Sequence, residues 1–169
     1  MKISIIGPTL SGKSVLGTAL GAKYMLPVVD AGQIVRLTAD PKELGTLQKG
    51  QLSDRHEWIM DTIDRAIDQN KDGMVLIGYP RTKDQMDRIR GKGFKVVAMM
   101  GDHTTLSQRG RSRGRDDDGA IETKEKYFYE LLLQIFKDVD MFASTSMTTE
   151  QIIAKTEPWH VGELGYKAH

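Results

Sequence analysis

Short apolar runs alternate with longer stretches of helical periodicity along this chain. Residues 3–6 predict a strand that ends at Gly7, and residues 13–23 a helix. Residues 26–29 predict a second strand, stopping at Asp30. Ser53 can cap a long helix in which Ile59, Ile63 and Ile67 share a face at i, i+4 spacing. Residues 74–77 form the third predicted strand, closed by Gly78-Tyr79-Pro80, and a helix follows over 82–90. Residues 94–100 predict a fourth strand and 120–137 a long helix. A short fifth strand at 141–143 and a last helix over 148–155 complete the series. Such alternation implies an α/β fold, a parallel sheet with helices on both faces. Sheets of this kind bind ligands beyond the carboxyl ends of their strands. Gly7, Asp30, Gly78 and Asp102 each stand just after a predicted strand.

Composition narrows the class. A chain of 169 residues with 39% hydrophobic and 28% charged residues suits one globular domain. The formal net charge of +1 excludes a general polyanion binder, so affinity for phosphate must come from local clusters. There are no cysteines, which excludes disulfides, thiolate metal sites and a thiol nucleophile. The start, MKISIIGPTL, reaches glycine and proline too soon for a signal-peptide core, and no apolar run approaches a membrane span. The expectation is a cytoplasmic protein without membrane or nucleic-acid partners. It is expected to be a monomer, since nothing suggests a coiled coil or an apolar interface stripe.

Gly7-Pro8-Thr9-Leu10-Ser11-Gly12-Lys13-Ser14 fits the phosphate-binding loop G-x-x-x-x-G-K-[ST]. Glycines let the backbone wrap a phosphate, and the loop amides and the helix N-terminus point donors at the anion. Lys13 would reach the β and γ phosphates of ATP, and Ser14 would supply a hydroxyl to Mg²⁺. The bland alternative is a flexible turn after the first strand, but the strand-to-helix context favours the cradle.

The segment from Gly73 to Gln85 resembles the adenylate kinase family, whose pattern there is D-G-F-P-R-T-x-x-Q. The resemblance implies a P-loop three-layer sandwich with five parallel strands, a short lid and a reduced acceptor lobe at about 31–53. It implies ATP and Mg²⁺ as cofactors, with the γ-phosphate passing to a nucleoside monophosphate. Arg81 would hold the acceptor phosphate beside Gly78, and Gln85 would read adenine, which favours AMP. Thr82-x-x-Gln85 is equally a capping box for the next helix. Ala31-Gly32-Gln33-Ile34-Val35-Arg36 resembles the family's T-G-D-x-L-R, which gives Arg36 a second contact to the acceptor phosphate. Gly50-Gln51-Leu52-Ser53-Asp54 resembles the turn that covers the acceptor base, so Gln51 and Leu52 join that site.

Arg109-Gly110-Arg111-Ser112-Arg113-Gly114-Arg115-Asp116-Asp117-Asp118 resembles the family's short lid, at about 109–119. Arg109 and Arg115 would close over the phosphates, with Asp117 and Asp118 as lid partners. Lys126 falls where the family has a further arginine, and Thr105 where it has one that stacks on the donor adenine. Together with Lys13 and Arg81 these cations form the expected catalytic set. An arginine-rich nucleic-acid segment is the competing reading, but three adjacent aspartates oppose it.

Three departures stand out. Ile77 replaces the aspartate that helps order Mg²⁺. Leu10 replaces a P-loop glycine, and Ser14-Val15 replaces Gly-Thr. Asp30 is the substitute candidate for the metal side, or else only a cap for the following helix. Kinases for a deoxynucleotide or another small acceptor, and a nucleotide-binding regulator with vestigial catalysis, are the competing functions. The tail beyond Glu157 reads as a surface segment, with His160 and His169 solvated.

Overall fold

Three strands are largely apolar and buried, as strands are when helices cover both faces of a parallel sheet. They are β1 (Lys2–Ile6), β3 (Met74–Ile77) and β4 (Lys95–Met100). The edge strands β2 (Val28–Asp30) and β5 (Met141–Ser144) are more exposed. The structure is a computed structural model that describes residues 1–8, 10–38, 56–101, 103–113 and 118–167. All five strands run parallel, in the order β2-β3-β1-β4-β5.

Seven α-helices occur among the described residues: α1 (Lys13–Tyr24), α2 (Ala31–Thr38), α3 (His56–Gln69), α4 (Lys83–Gly91), α5 (His103–Ser112), α6 (Asp118–Ile135) and α7 (Thr149–Lys167). Alternate side chains of each strand serve opposite layers. Ile3, Ile5, Val75, Ile77, Val97 and Met99 meet Leu16 and Leu20 of α1 and Ile152 and Ile153 of α7. Ile6, Met74, Leu76, Val96 and Ala98 meet α3 through Ile63 and Ile67, α4 through Met86 and Ile89, and α6 through Phe128 and Ile135. The expected three-layer α/β fold is therefore present.

The chain differs from its sequence pattern in three places. Leu26 is not strand, because its N–H closes the end of α1 on Gly21 O at 2.9 Å, after Met25 turns left-handed. Residues 103–112 are helical although one buried leucine, Leu106, is their main apolar anchor. The tail is helical: α7 continues through Pro158 to Lys167. Thr156 is buried and bonds Tyr24 Oη at 3.0 Å, and Trp159 packs on the core beside α1. His160 lies against the Tyr24 ring at 4.7 Å and is not a solvated tail residue, while His169 lies outside the described residues.

Candidate functional site

The strand order places the site. The connection from β1 leads to one side of the sheet and that from β3 to the other, so the loops after these neighbouring strands flank one crevice. The phosphate loop follows β1, and Gly78-Tyr79-Pro80-Arg81 follows β3. Gly78 N–H donates to Ile5 O at 2.9 Å, which ties the two loops at their roots.

Backbone demands explain the loop's composition. A Cβ at Gly7 would lie 2.6 Å from Ser11 Oγ and 2.9 Å from Met99 O, so only glycine fits. Gly12 caps α1 at φ 94°, in the left-handed region that glycine adopts without penalty. Leu10 also stands in that region, at φ 70°, where a leucine costs about 1 kcal/mol or more. What holds it there is burial: Leu10 is 7% exposed and packs on Leu106 of α5. Arg109 Nη1 donates to Leu10 O at 2.8 Å. The departure from glycine at position 10 thus binds the phosphate loop to α5.

Lys13 bends back over the loop and donates to Gly7 O and Pro8 O, both at 2.9 Å. Burial pushes its ammonium down to about 8, and Arg81 adds to the effect. Asp30 pulls in the opposite direction, and Lys124 of α6 lowers it further. The first turn of α1 carries no acidic side chain, so the helix dipole and its free amides face the loop uncompensated. Ser14 and Val15 are exposed in that turn.

In the turn after β3, Arg81 is exposed, and its Nε donates to Gly78 O at 3.0 Å. Gln85 is 2% exposed. Its N–H donates to Thr82 Oγ1 at 3.2 Å, and its Oε1 accepts from Arg81 N at 2.7 Å. The turn is therefore locked by the cap that the sequence allows. Gln85 Oε1 faces the backbone in this arrangement.

Asp30 stands beside Ile77 in the β2–β3 ladder. Its Oδ1 accepts from Gln33 N at 3.1 Å, so it caps α2, and it lies near enough to Lys13 to raise that lysine's affinity for a proton. Ile77 is 3% exposed and fills the space that Gly17 of α1 leaves open. A Cβ at Gly17 would come within 2.4 Å of Ile77 Cδ1. Position 77 is thus a packing position here. Among the described residues no group of three His, Cys, Asp or Glu side chains converges as a metal site. One hydroxyl, Ser14, and one carboxylate, Asp30, do suit Mg²⁺, which keeps most of its shell as water and phosphate oxygens.

An open cleft of about 530 Å³ is walled by Thr105, Tyr129, Ser144, Thr145 and Ser146, beyond the ends of β4 and β5. A neighbouring recess of about 300 Å³ runs from Gly12 and Val15 to Arg109 and Thr145. Lys126 is exposed on α6. Arg36 falls on α2 and Asp118 opens α6, whereas Thr9, Gln51, Leu52, Arg115 and Asp117 lie outside the described residues. Two contributors escape sequence reasoning. Leu10 O as the acceptor for Arg109 carries no sequence signal, because a main-chain carbonyl has none. Lys124 has a faint one, its place one turn before the apolar Phe128.

A family model described as an AAA domain matches residues 6–125, which span the phosphate loop, the turn after β3 and the start of α6. An adenylate kinase of Leifsonia xyli subsp. xyli is 30% identical over 145 residues, 73% of this chain and 72% of that protein. A cytidylate kinase of Methanosphaerula palustris is 22% identical over 98% of this chain and 93% of its own. A solved gluconokinase from Sinorhizobium meliloti 1021 shares the fold, with a TM-score of 0.71 at 16% identity over 99% of this chain and 97% of that one. With its phosphate loop and acceptor turn on one crevice of a five-stranded parallel sheet, the chain belongs to the nucleoside monophosphate kinase family of P-loop kinases.

Proposed function

We propose that the protein moves the γ-phosphate of ATP to a nucleoside monophosphate, with AMP as the preferred acceptor, giving two diphosphates. The observation that carries this reading is that the turn bearing Arg81 and the phosphate loop bearing Lys13 flank one crevice, tied where Gly78 N–H donates to Ile5 O at 2.9 Å; the charge of Arg81 also lowers the Lys13 pKa. A guanidinium beside the donor lysine suits an acceptor that is itself a phosphate, because its planar fork matches two anionic oxygens. Little covalent work remains for the protein, as positioning and charge stabilisation dominate phosphoryl transfer. Lys13 and the loop amides hold the donor, Arg81 and Arg36 the acceptor phosphate, and Arg109 and Arg115 the transferring group. Ser14 would hold Mg²⁺ with Asp30 ordering its water, and the ion when bound would offset phosphate charge. The acceptor oxygen is already anionic near neutral pH, so no general base is needed.

The site supports AMP through Gln85, whose amide would turn its nitrogen toward the base while its oxygen keeps the turn. Thr105 in the cleft wall supports a donor-base slot without a stacking arginine, and hence tolerance of other triphosphates.

A second reading is favoured by Asp30. A carboxylate beside Lys13 could take the proton of an attacking hydroxyl, as a small-molecule kinase with an alcohol acceptor requires. The test mixes the protein with Mg²⁺-ATP and, in turn, each common ribo- and deoxyribonucleoside monophosphate and a set of sugars and sugar acids. ADP release is followed against a control without acceptor. Rapid ADP formation with AMP supports the proposal. A hydroxyl acceptor that outpaces every monophosphate transfers the assignment to the second reading. Tight ATP binding without any acceptor-dependent ADP points to a nucleotide-binding regulator.

Asp30→Asn separates its two roles, because an amide oxygen still accepts from Gln33 N–H. The cap and the melting temperature should persist, while kcat falls about tenfold and half-saturating Mg²⁺ rises, as expected for a lost ordering carboxylate. Unchanged turnover and Mg²⁺ dependence would leave Asp30 as a cap alone.

A further inference from the structure

We propose that Arg113 holds the donor base, laying its guanidinium against the ring in the recess beside the phosphate loop. The inference rests on ATP as the donor of the proposed reaction and names the residue that grips its base.

Three elements build the recess. The start of α1 contributes Gly12 and Val15, α5 contributes Arg109 and then Arg113, and the connection after β5 contributes Thr145 and Met147. The floor is apolar, since Leu16, Met99 and Ile152 are buried beneath it. Its volume, about 300 Å³, is at the small end of ligand pockets, which span roughly 300–1,000 Å³. That suits one flat ring system and not a whole nucleotide. Phosphates held by the loop amides would lie where the recess begins, at Gly12. Two features of the empty recess call for a ligand. Ser11 lines it, and Ser11 Oγ is buried without a hydrogen-bond partner among the described residues. A buried hydroxyl left unpaired is costly, and an oxygen of a bound nucleotide would satisfy it. Val15 is apolar and yet 57% exposed, and a base laid over it would remove that surface from water.

The helix supplies the cation. Thr105, Arg109 and Arg113 follow one another at i, i+4 spacing, on one face of α5. Arg113 N–H donates to Arg109 O at 3.2 Å, so the helical turn carries past Ser112. Arg109 is committed to the loop, where its Nη1 donates to Leu10 O at 2.8 Å. Arg113 is exposed, and its guanidinium has no hydrogen bond or ion pair among the described residues. The cleft at Thr105 offers hydroxyls and no guanidinium; the recess across Thr145 offers one. A planar cation is attracted to the face of an aromatic ring. Every base has such a face, so this contact tolerates a change of base.

Calorimetry without acceptor compares wild type, Arg113→Gln and Arg113→Lys, with the surface variant Lys137→Gln as control. The ligands are ATP, GTP, CTP and inorganic tripolyphosphate, which has no base. Arg113→Gln should weaken each nucleoside triphosphate about tenfold and tripolyphosphate by less than about twofold. Arg113→Lys should recover only part of the loss, because an ammonium has no plane to stack. Lys137→Gln should match wild type throughout. The second readout is the Nε–H resonance of Arg113 in the wild type. The ring current of a stacked base should move it upfield as ATP saturates, and tripolyphosphate should not. An equal loss for tripolyphosphate in Arg113→Gln would make Arg113 a phosphate contact and overturn the proposal. So would unchanged ATP affinity, or a loss confined to one base, which marks an edge contact. If Arg113→Gln does not fold, the resonance decides alone, and no upfield shift with ATP sinks the idea. Failure of every monophosphate as acceptor would remove the transfer reading while leaving both readouts to judge Arg113.

Discussion

Lys13→Met abolishes phosphoryl transfer and yet makes the nucleotide-free protein more stable. The loss should be about a thousandfold or more, because the ammonium is aimed at the phosphate oxygens where charge is rearranged. The gain in stability follows from linkage. The folded pKa of Lys13 is about 8 against an ordinary value of 10.5. The folded state therefore binds fewer protons than the unfolded chain between these values, and stability from this group rises with pH across that window. Below about pH 8 the lysine is charged in both states, and the full cost of the shift, about 3 kcal/mol, is present. Methionine removes the cost but leaves Gly7 O and Pro8 O without their donor, which gives back about 1 kcal/mol for each. The net expectation is about 1 kcal/mol of stabilisation at pH 7 that vanishes near pH 9 and becomes about 2 kcal/mol of destabilisation by about pH 10.5. Urea melts of both proteins at pH 7 and pH 10 measure it. A methionine variant less stable than wild type at pH 7 would show that Lys13 is not strained in the empty loop.

Arg81→Ala has the second large effect, and it acts in two ways. Its guanidinium is proposed to hold the acceptor phosphate, so kcat/KM for the acceptor should fall about a hundredfold to a thousandfold. The milder change Arg81→Lys should recover little of this, since an ammonium lacks the fork. Arg81 is also the leading charge that depresses Lys13. Its removal should therefore move the alkaline limb of ATP binding, set by loss of the Lys13 proton near pH 8, toward higher pH. ATP affinity measured across neutral and alkaline pH in wild type and Arg81→Ala decides the matter. A limb that stays in place would mean the two side chains do not share one field, and the pairing that carries the proposed reaction would fall with it.

Both effects concern residues that are plain in the sequence, and the reason is chemical. A loop that wraps phosphate has few solutions, so Gly7, Gly12, Lys13 and Ser14 stand in a fixed pattern. The central strands are legible for a related reason. Two-sided burial leaves unbroken apolar runs, and the run at 74–77 matches its strand to the residue. Where side chains do double duty, the pattern fails. Residues 103–112 mix arginine, glycine, serine and threonine, so the helix shows no apolar stripe; Leu106 and the Arg109 bond to Leu10 O hold it by tertiary contact. Pro158 suggests a stop, yet Ile152, Ile153, Thr156 and Trp159 continue one face at helical spacing, and that packing outweighs one missing hydrogen bond. The Thr82–Gln85 cap is legible from spacing, but a cap and a base reader have the same sequence. Only the placement of Gln85 Oε1 on Arg81 N shows what the residue does without ligand.

The contact between Ile77 and Gly17 also constrains how this sequence can change. Restoring the family's aspartate at 77 by one substitution would bury a carboxylate among Ile5, Leu16 and Val97, at a cost of several kcal/mol. Enlarging Gly17 first would drive its Cβ into the isoleucine. Neither step is neutral while the other residue stays, so the two positions form a one-way gate. Under the proposed reaction, the acidic group for the metal side is then left to the neighbouring strand, at Asp30.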